Sequence, residues 1–176
     1  DRETGGWNTS EVASRVTGKP LVLVEWAWRE RGIIVADGNP KKISKIDDLK
    51  GYTVAPRQAQ AGSQVLLEHL LSEAKLTEGG VTFATAARTE TDAALAVLEG
   101  AADAAFGLSC VAKQFRLAFV PIMRERFDLL VWRSEWFEEP FQTLLSFTRS
   151  AVFAEKAVSL EGYDISGLGT VHYNGR

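Results

Sequence analysis

The stretch that most restricts the fold runs Tyr52-Thr-Val-Ala-Pro-Arg-Gln-Ala-Gln-Ala-Gly-Ser-Gln-Val-Leu-Leu-Glu-His-Leu-Leu71, and it reads as strand, polar turn and helix. Val54 and Ala55 close a short apolar strand, and Pro56 disfavours helix for the residue before it. Gly62-Ser63 sits where a helix N-terminus should begin. Val65, Leu66, His69 and Leu70, with Leu67 and Leu71, form the broad stripe expected of a helix packed on a sheet. The turn between carries Arg57, the amides of Gln58, Gln60 and Gln64, and the Ser63 hydroxyl beside unsatisfied helix-start N–H groups, a combination suited to an oxyanion. On the residues alone two readings stand: an anion-binding turn, and a plain strand-to-helix connection in which Ser63 caps and Arg57 is solvated.

Strands and helices alternate around this stretch. Ser10 or Thr9 opens a short helix that ends near Val16, with Trp7 placed to pack back on Val12. After Gly18-Lys19-Pro20 comes a β-branched and aromatic run, residues 21–36, too long for one ordinary strand and expected to bend or cross near Arg29 to Arg31. Ile46 to Leu49 suits a helical turn begun by Ser44. Val81 to Ala87 reads as a strand, Thr89 to Asp92 as a capping box opening an alanine-rich helix, and Ala102 to Phe106 as a strand ending at Gly107. Ser109 to Phe115 reads as a helix, 117–123 and 124–132 as two strands, and 139–149 and 151–160 as helices. Phe141, Leu144, Leu145 and Thr148 share a face that should be core. This alternation argues a parallel or mixed sheet covered on both faces, whose ligands bind beyond the strand carboxyl ends, where Arg57 and Gly107 fall.

Composition narrows the function classes. The chain has 176 residues, 45% hydrophobic, with 20 Lys+Arg against 23 Asp+Glu and a formal net charge of -3, which suits a globular domain and argues against direct nucleic-acid binding. No apolar run has the length of a membrane span, so no membrane insertion is expected. Cys110 is the single cysteine, in an apolar setting that suits a structural thiol, and His69 and His172 are too far apart in sequence to suggest a zinc site. Glu90, Asp92 and Asp103 are the only acids near strand ends, and capping or turn roles account for them, so no catalytic residue, metal or cofactor is expected. Trp26, Trp28 and Trp132 read as packing bulk, and Trp136 as cover for a helix start.

Several pieces together carry a family resemblance: Asp1-Arg-Glu-Thr-Gly5, Arg29-Glu-Arg-Gly-Ile-Ile-Val-Ala36 with Gly38-Asn-Pro40, Arg57-Gln58 with Gly62-Ser63, Ala102-Asp-Ala104 with Gly107, Phe119-Val-Pro121, Glu125-Arg-Phe-Asp-Leu129, and Gly162-Tyr-Asp164 with Ser166 and Gly169. In this order they resemble the periplasmic-binding-protein-like ligand domain found behind helix-turn-helix segments in molybdate-related bacterial regulators and attached to molybdopterin biosynthesis proteins. The resemblance implies an α/β fold of type II: two α/β lobes joined by two crossing strands, with the N-terminal part of lobe one absent. The implied division is 1–28 in lobe one, 29–124 in lobe two with a ligand turn at 55–64, and 125–176 returning to lobe one. Arg57, Gln58, Gly62 and Ser63 match the family's anion-side turn, with Gln64 and Gly107 as further ligand-binding candidates, while Gln60, Ala61 and Gln64 depart from the family's usual Gly, Ser and Arg, which favours a monoanion or polar neutral ligand over a dianion.

The function so implied is a non-enzymatic sensor for a small anionic ligand such as molybdate or tungstate, signalling by lobe closure. DNA is reached only through a fused N-terminal segment, homodimerisation is open, and the location is cytoplasmic. The alternatives are a solute-binding component of an ABC transporter, periplasmic in that case, and an enzyme on the same fold.

Overall fold

The computed structural model describes residues 7–77 and 79–175, and divides into two compact units: the chain up to Arg29 together with Arg124 onward, and Glu30–Met123. The Asp1-Arg-Glu-Thr-Gly5 piece lies outside the described residues. Both boundaries fall inside 15-residue strands, β1 (Leu21–Val35) and β5 (Ala118–Trp132). The run 21–36 is one continuous strand that passes from one unit to the other at Arg29, as expected of a crossing near Arg29 to Arg31, whereas the strands expected at 117–123 and 124–132 are a single one. Each half of β1 finds its own partners, residues 22–24 and 28–29 on β7 and β6 and residues 31–35 on β4.

The unit formed by Glu30–Met123 is built on strands in the order β3-β2-β4-β1-β5, with β2 at Thr53–Ala55, β3 at Thr82–Phe83 and β4 at Ala104–Leu108. β2 runs parallel to both β3 and β4, and β4 is antiparallel to β1, with Arg31 opposite Leu108 and Val35 opposite Ala104. Alternation along the strands sorts side chains into two cores. Ile33, Val35, Val54, Ala104 and Phe106 join Leu67, Leu70 and Leu71 of helix α2 (Gly62–Glu73) on one face. Ile34, Ala55 and Ala105 join Ala93, Ala94 and Val97 of α3 (Glu90–Leu98) and Ala112 of α4 (Ser109–Gln114) on the other. Both faces of this mixed sheet are thus covered, and α2, α3 and α4 each start just beyond the carboxyl end of a strand.

Several local expectations need correction. The 81–87 strand shrinks to β3 plus a single parallel bridge from Ala87 to Arg57. Gly107 is internal to β4 instead of ending a strand, because β1 continues to pair as far as Leu108. In α2, Val65 and His69 point to solvent, and the buried face is Ser63, Gln64, Leu67, Leu70 and Leu71. The inward stripe is therefore turned by one residue, since the deeply buried Gln64 takes a position that an apolar count would leave outside.

In the other unit, α1 (Thr9–Arg15) precedes the first half of β1, which pairs with β7 (Val171–Asn174) and β6 (Tyr163–Asp164). α5 (Arg133–Trp136), α6 (Glu139–Thr148) and α7 (Ala151–Ser159) complete it. Of the α6 face read as core, only Thr148 is buried, while Phe141, Leu144 and Leu145 are half-buried. Trp7 meets Trp28 edge-on at 5.8 Å, Trp26 meets Phe153 at 5.5 Å, and Trp132 is 49% exposed, so it is not the packing bulk expected of it. Glu25 is buried and bonds His172 Nε2 through Oε2 at 2.7 Å, while His172 Nδ1 lies 3.3 Å from Arg126 Nη1. Arg126 in turn donates to both carboxylate oxygens of Asp128 and to the Trp7 carbonyl. A Cβ at Gly167 would stand 2.1 Å from Glu25 Oε1, so glycine there is what lets this buried carboxylate fit.

Candidate functional site

The carboxyl edge of the Glu30–Met123 sheet collects the residues singled out in the sequence. Parallel β2, β3 and β4 all end there, so the amino ends of α2, α3 and α4 follow at the same edge, each carrying partial positive charge on its first N–H groups. Antiparallel β1 brings Arg31 to this edge through its pairing with Leu108.

The β2–α2 turn is held from inside. Gln64 is 3% exposed, and its Oε1 accepts the Arg57 main-chain N–H at 2.8 Å while its Nε2 donates to Glu68 Oε1 at 2.9 Å. A buried primary amide must find such partners, and here they tie the strand end to the first turn of the helix. Ser63 is therefore not the cap: Ala61 takes the extended N-cap conformation and its carbonyl accepts from Gln64 and Val65, leaving Ser63 inside the first turn. The N–H groups of Gly62 and Ser63 have no protein acceptor among the described residues. These are the orphan donors of a 12-residue helix start, at the edge where sheets of this kind meet ligands.

Arg57 behaves differently from a solvated cation. Its Nε donates to the Ala87 carbonyl at 3.3 Å and its Nη2 to the Arg88 carbonyl at 2.9 Å, which lashes the β2–α2 turn to the loop preceding α3. Gln58 is exposed, and its carbonyl accepts from Ala61 N–H at 2.8 Å, closing the turn. Gly107 is buried opposite Gly32, and a Cβ added there would meet Ile34 Cδ1 at 2.8 Å and come within 3.9 Å of Glu90 Oε2. Arg57, Gln58, Gly62, Ser63 and Gln64 thus share one turn, and Gly107 lies on β4 of the same edge.

Glu90 is not a helix cap, because Thr89 and Asp92 already form a reciprocal capping box at 2.9 and 3.0 Å. Instead, Glu90 Oε1 accepts from Arg31 Nη1 at 2.9 Å, and the Arg31 side chain is only 3% exposed. The sequence contained the signal for this pair: a cation directly before Gly32-Ile-Ile-Val35 in a buried strand demands a carboxylate partner. Asp103 ties the opposite end of the sheet, accepting from Lys41 Nζ and from the Thr53 N–H at 2.7 Å, and these bonds hold its carboxyl below the usual carboxylate range. Asp92 and Asp103 are thus engaged in capping and strand anchoring. Among the described residues no cluster of His, Cys, Asp and Glu suits a metal ion, and no helix is long and apolar enough to cross a membrane.

Comparison with known proteins places this geometry. The uncharacterised protein YvgK of Bacillus subtilis is 28% identical over 174 residues, covering 97% of this chain but 56% of its own length. Among solved structures, an ancestral arginine-binding protein bound to arginine superposes with a TM-score of 0.61 at 20% identity, over 89% of this chain and 70% of that one. PEB3 bound to L-phospholactate gives 0.59 at 17% identity over 90% and 75%, and an arginine-binding protein from T. maritima gives 0.57 at 20% identity over 78% and 62%. The chain therefore spans little more than half of its curated relative, and the solved structures share its type II periplasmic-binding-protein fold. The model of the PBP superfamily domain matches residues 1–149, and the chain belongs to that superfamily as a periplasmic-binding-protein-like, ligand-binding domain.

Proposed function

We propose that this domain binds a small oxyanion or carboxylate at the β2–α2 turn, through the Gly62 and Ser63 N–H groups with Gln58 and the Ser63 hydroxyl beside them. The observation that carries the reading is the pair of unclaimed amides at the start of α2, at the carboxyl edge shared by three helix amino ends. Arg57 and Gln64 act as positioning residues, Gln64 by holding the turn from inside and Arg57 by joining it to the α3 loop while its Nη1 still faces no protein acceptor among the described residues. Gly107, one residue before the end of β4, leaves that strand position free of a side chain. Each charge-assisted N–H contact to an anion supplies about 1.5–3 kcal/mol, and a few such contacts, less the cost of association, support binding near the micromolar range.

Molybdate and tungstate are the first ligands to try on the family resemblance, in a regulator whose DNA-binding segment reads occupancy in the cytoplasm. Structural neighbours bound to arginine, to glutamine and to L-phospholactate add these three ligands, each of which bears an anionic group. The role requires binding and no covalent step. The test is a titration of ¹⁵N-labelled protein with molybdate, phosphate, L-phospholactate and L-glutamine. The Gly62 and Ser63 amide resonances should move saturably with at least one of them, and Arg57→Ala should weaken that binding more than tenfold. If all four leave these two amides in place, the proposal is wrong.

A further inference from the structure

His172 is the extra residue of a β-bulge. Leu23 pairs with Tyr173 and Val24 with Val171, so residue 172 has no opposite number on β1. Bulges re-aim a side chain, and here the imidazole reaches Glu25 on β1 and, beyond it, Arg126 on β5. Its two nitrogens meet groups of opposite kind: Nε2 lies 2.7 Å from Glu25 Oε2, and Nδ1 lies 3.3 Å from Arg126 Nη1. A guanidinium only donates, so Nδ1 serves as the acceptor and the ring proton sits on Nε2, donated to Glu25. Arg126 Nε and Nη2 are spent on Asp128 and the Trp7 carbonyl, which leaves His172 as the acceptor that the described residues offer Nη1. The remaining charges around β7 are matched elsewhere. Asp128 takes Arg126 and the Asn8 amide, and on α1, which packs on β7, Glu11 and Arg15 bond each other at the surface. Glu25 also holds the C-terminal segment by its main chain, donating to the Thr170 carbonyl at 2.8 Å and accepting the Gly169 N–H at 2.9 Å.

We infer that His172 is a proton-operated clasp of the C-terminal segment: the neutral ring bridges Glu25 to Arg126 and holds β7 on β1, and a second proton, on Nδ1, loosens β7. The neutral ring already donates its Nε2–H to Glu25, so the added proton makes no new hydrogen bond there. It does remove the acceptor of Arg126 Nη1 and sets an N–H against an N–H beside a buried guanidinium. The His172 side chain is 25% exposed, so a proton reaches it from water while the strands stay paired. Histidine is the side chain that changes charge between about pH 5 and 8, well above the range in which Asp164 takes up its proton. The clasp is thus a conformational device of this unit, separate from the anion site on α2.

The test is NMR on the ¹⁵N-labelled full chain, following the ring nitrogens of His172 and the hydrogen-exchange protection of the β7 amides from about pH 8 down to about pH 5. At the alkaline end Nε2 should carry the proton and Nδ1 should be bare. As the ring charges, protection of the β7 amides should fall by at least about tenfold while that of β2 and β4 holds. His172→Gln offers an N–H and an oxygen but cannot take a second proton, so β7 should stay protected and its pH response should vanish. His69→Gln, at the other histidine of the chain, should leave the response intact. A ring with its proton on Nδ1 at the alkaline end, or β7 protection that stays level while His172 charges, overturns the inference, and both readings come from the wild type even if His172→Gln folds poorly. A response that disappears in His69→Gln overturns it as well.

Discussion

The two compact units solve the problem of burying polar groups in opposite ways. Glu30–Met123 closes two apolar cores over the faces of its sheet and moves most of its polar groups to the edges. There the Gly62 and Ser63 N–H groups are left without protein partners among the described residues. The other unit buries charge in its interior, where Glu25, His172, Arg126 and Asp128 bond one another in sequence. It leaves large apolar side chains such as Phe137, Phe147 and Val158 more than half exposed. The difference teaches where recognition can reside. Mutually satisfied buried polar groups fasten a fold, while unsatisfied ones held rigid by an apolar scaffold are preorganised for a ligand.

Removing one member of the charged network should have the largest effect. Asp128→Ala leaves Arg126, which is only 6% exposed, without its carboxylate, and about 3–5 kcal/mol of stability should be lost. Every tryptophan lies before Arg29 or after Arg124, so denaturant unfolding followed by Trp fluorescence reads this unit. A loss under 1 kcal/mol would mean that the network is ornamental and would break the comparison.

Next is Leu67→Ala, at 1% exposure in the larger apolar core, where about 2–5 kcal/mol should be lost. Amide hydrogen exchange in β2 and β4 should register it far more than the Trp signal does. Gly167→Ala should cost about 1–3 kcal/mol, because the added Cβ forces Glu25 away from its seat. Combining it with Glu25→Gln should leave the cost almost unchanged if steric crowding dominates, and should reduce it if the carboxylate charge matters.

The smallest effects concern acid. Asp164 is lowered to about 2 by the Ser166 main-chain N–H, the Ser166 hydroxyl and Arg124. Asp103 is lowered by Lys41 and then by the Thr53 N–H. A depressed folded-state value means the stabilisation is complete above the unfolded carboxylate value near ~4 and is lost as pH falls through the folded value. Asp164→Asn should therefore flatten the loss of Trp-detected stability from about pH 4 down to about pH 2. Asp103→Asn should flatten only the loss seen by hydrogen exchange in β2. Cross-talk, in which either substitution moves the other unit's probe, would show that the two regions are less independent than their interiors suggest.

Much of the architecture is legible in the residues because its signals are local. β-branched and aromatic runs mark the long strands, the Thr89–Asp92 box marks α3, and Pro140 marks the start of α6. The misplaced details are those in which a distant partner decides. Ser63 has the chemistry of a cap, yet Ala61 takes the N-cap position and Gln64 reaches back from the first turn to the Arg57 N–H. Val65 looks like core until the register of α2 on the sheet puts Leu67, Leu70 and Leu71 inward. Glu90 looks like a cap until Arg31, 59 residues away, claims it.

The sequence by itself determined that this chain alternates strands and helices around a polar turn suited to an anion, since strand propensity, capping chemistry and Gly/Pro punctuation act within a few residues of one another. Only the tertiary structure decided which donors of that turn stay open and which are spent, that Arg57 braces a loop, and that the half-buried Glu90 pairs with Arg31 beside Gly107. Those outcomes depend on which groups meet across the sheet, and hydrogen-bond partners so remote in sequence leave no pattern that a local reading can recover.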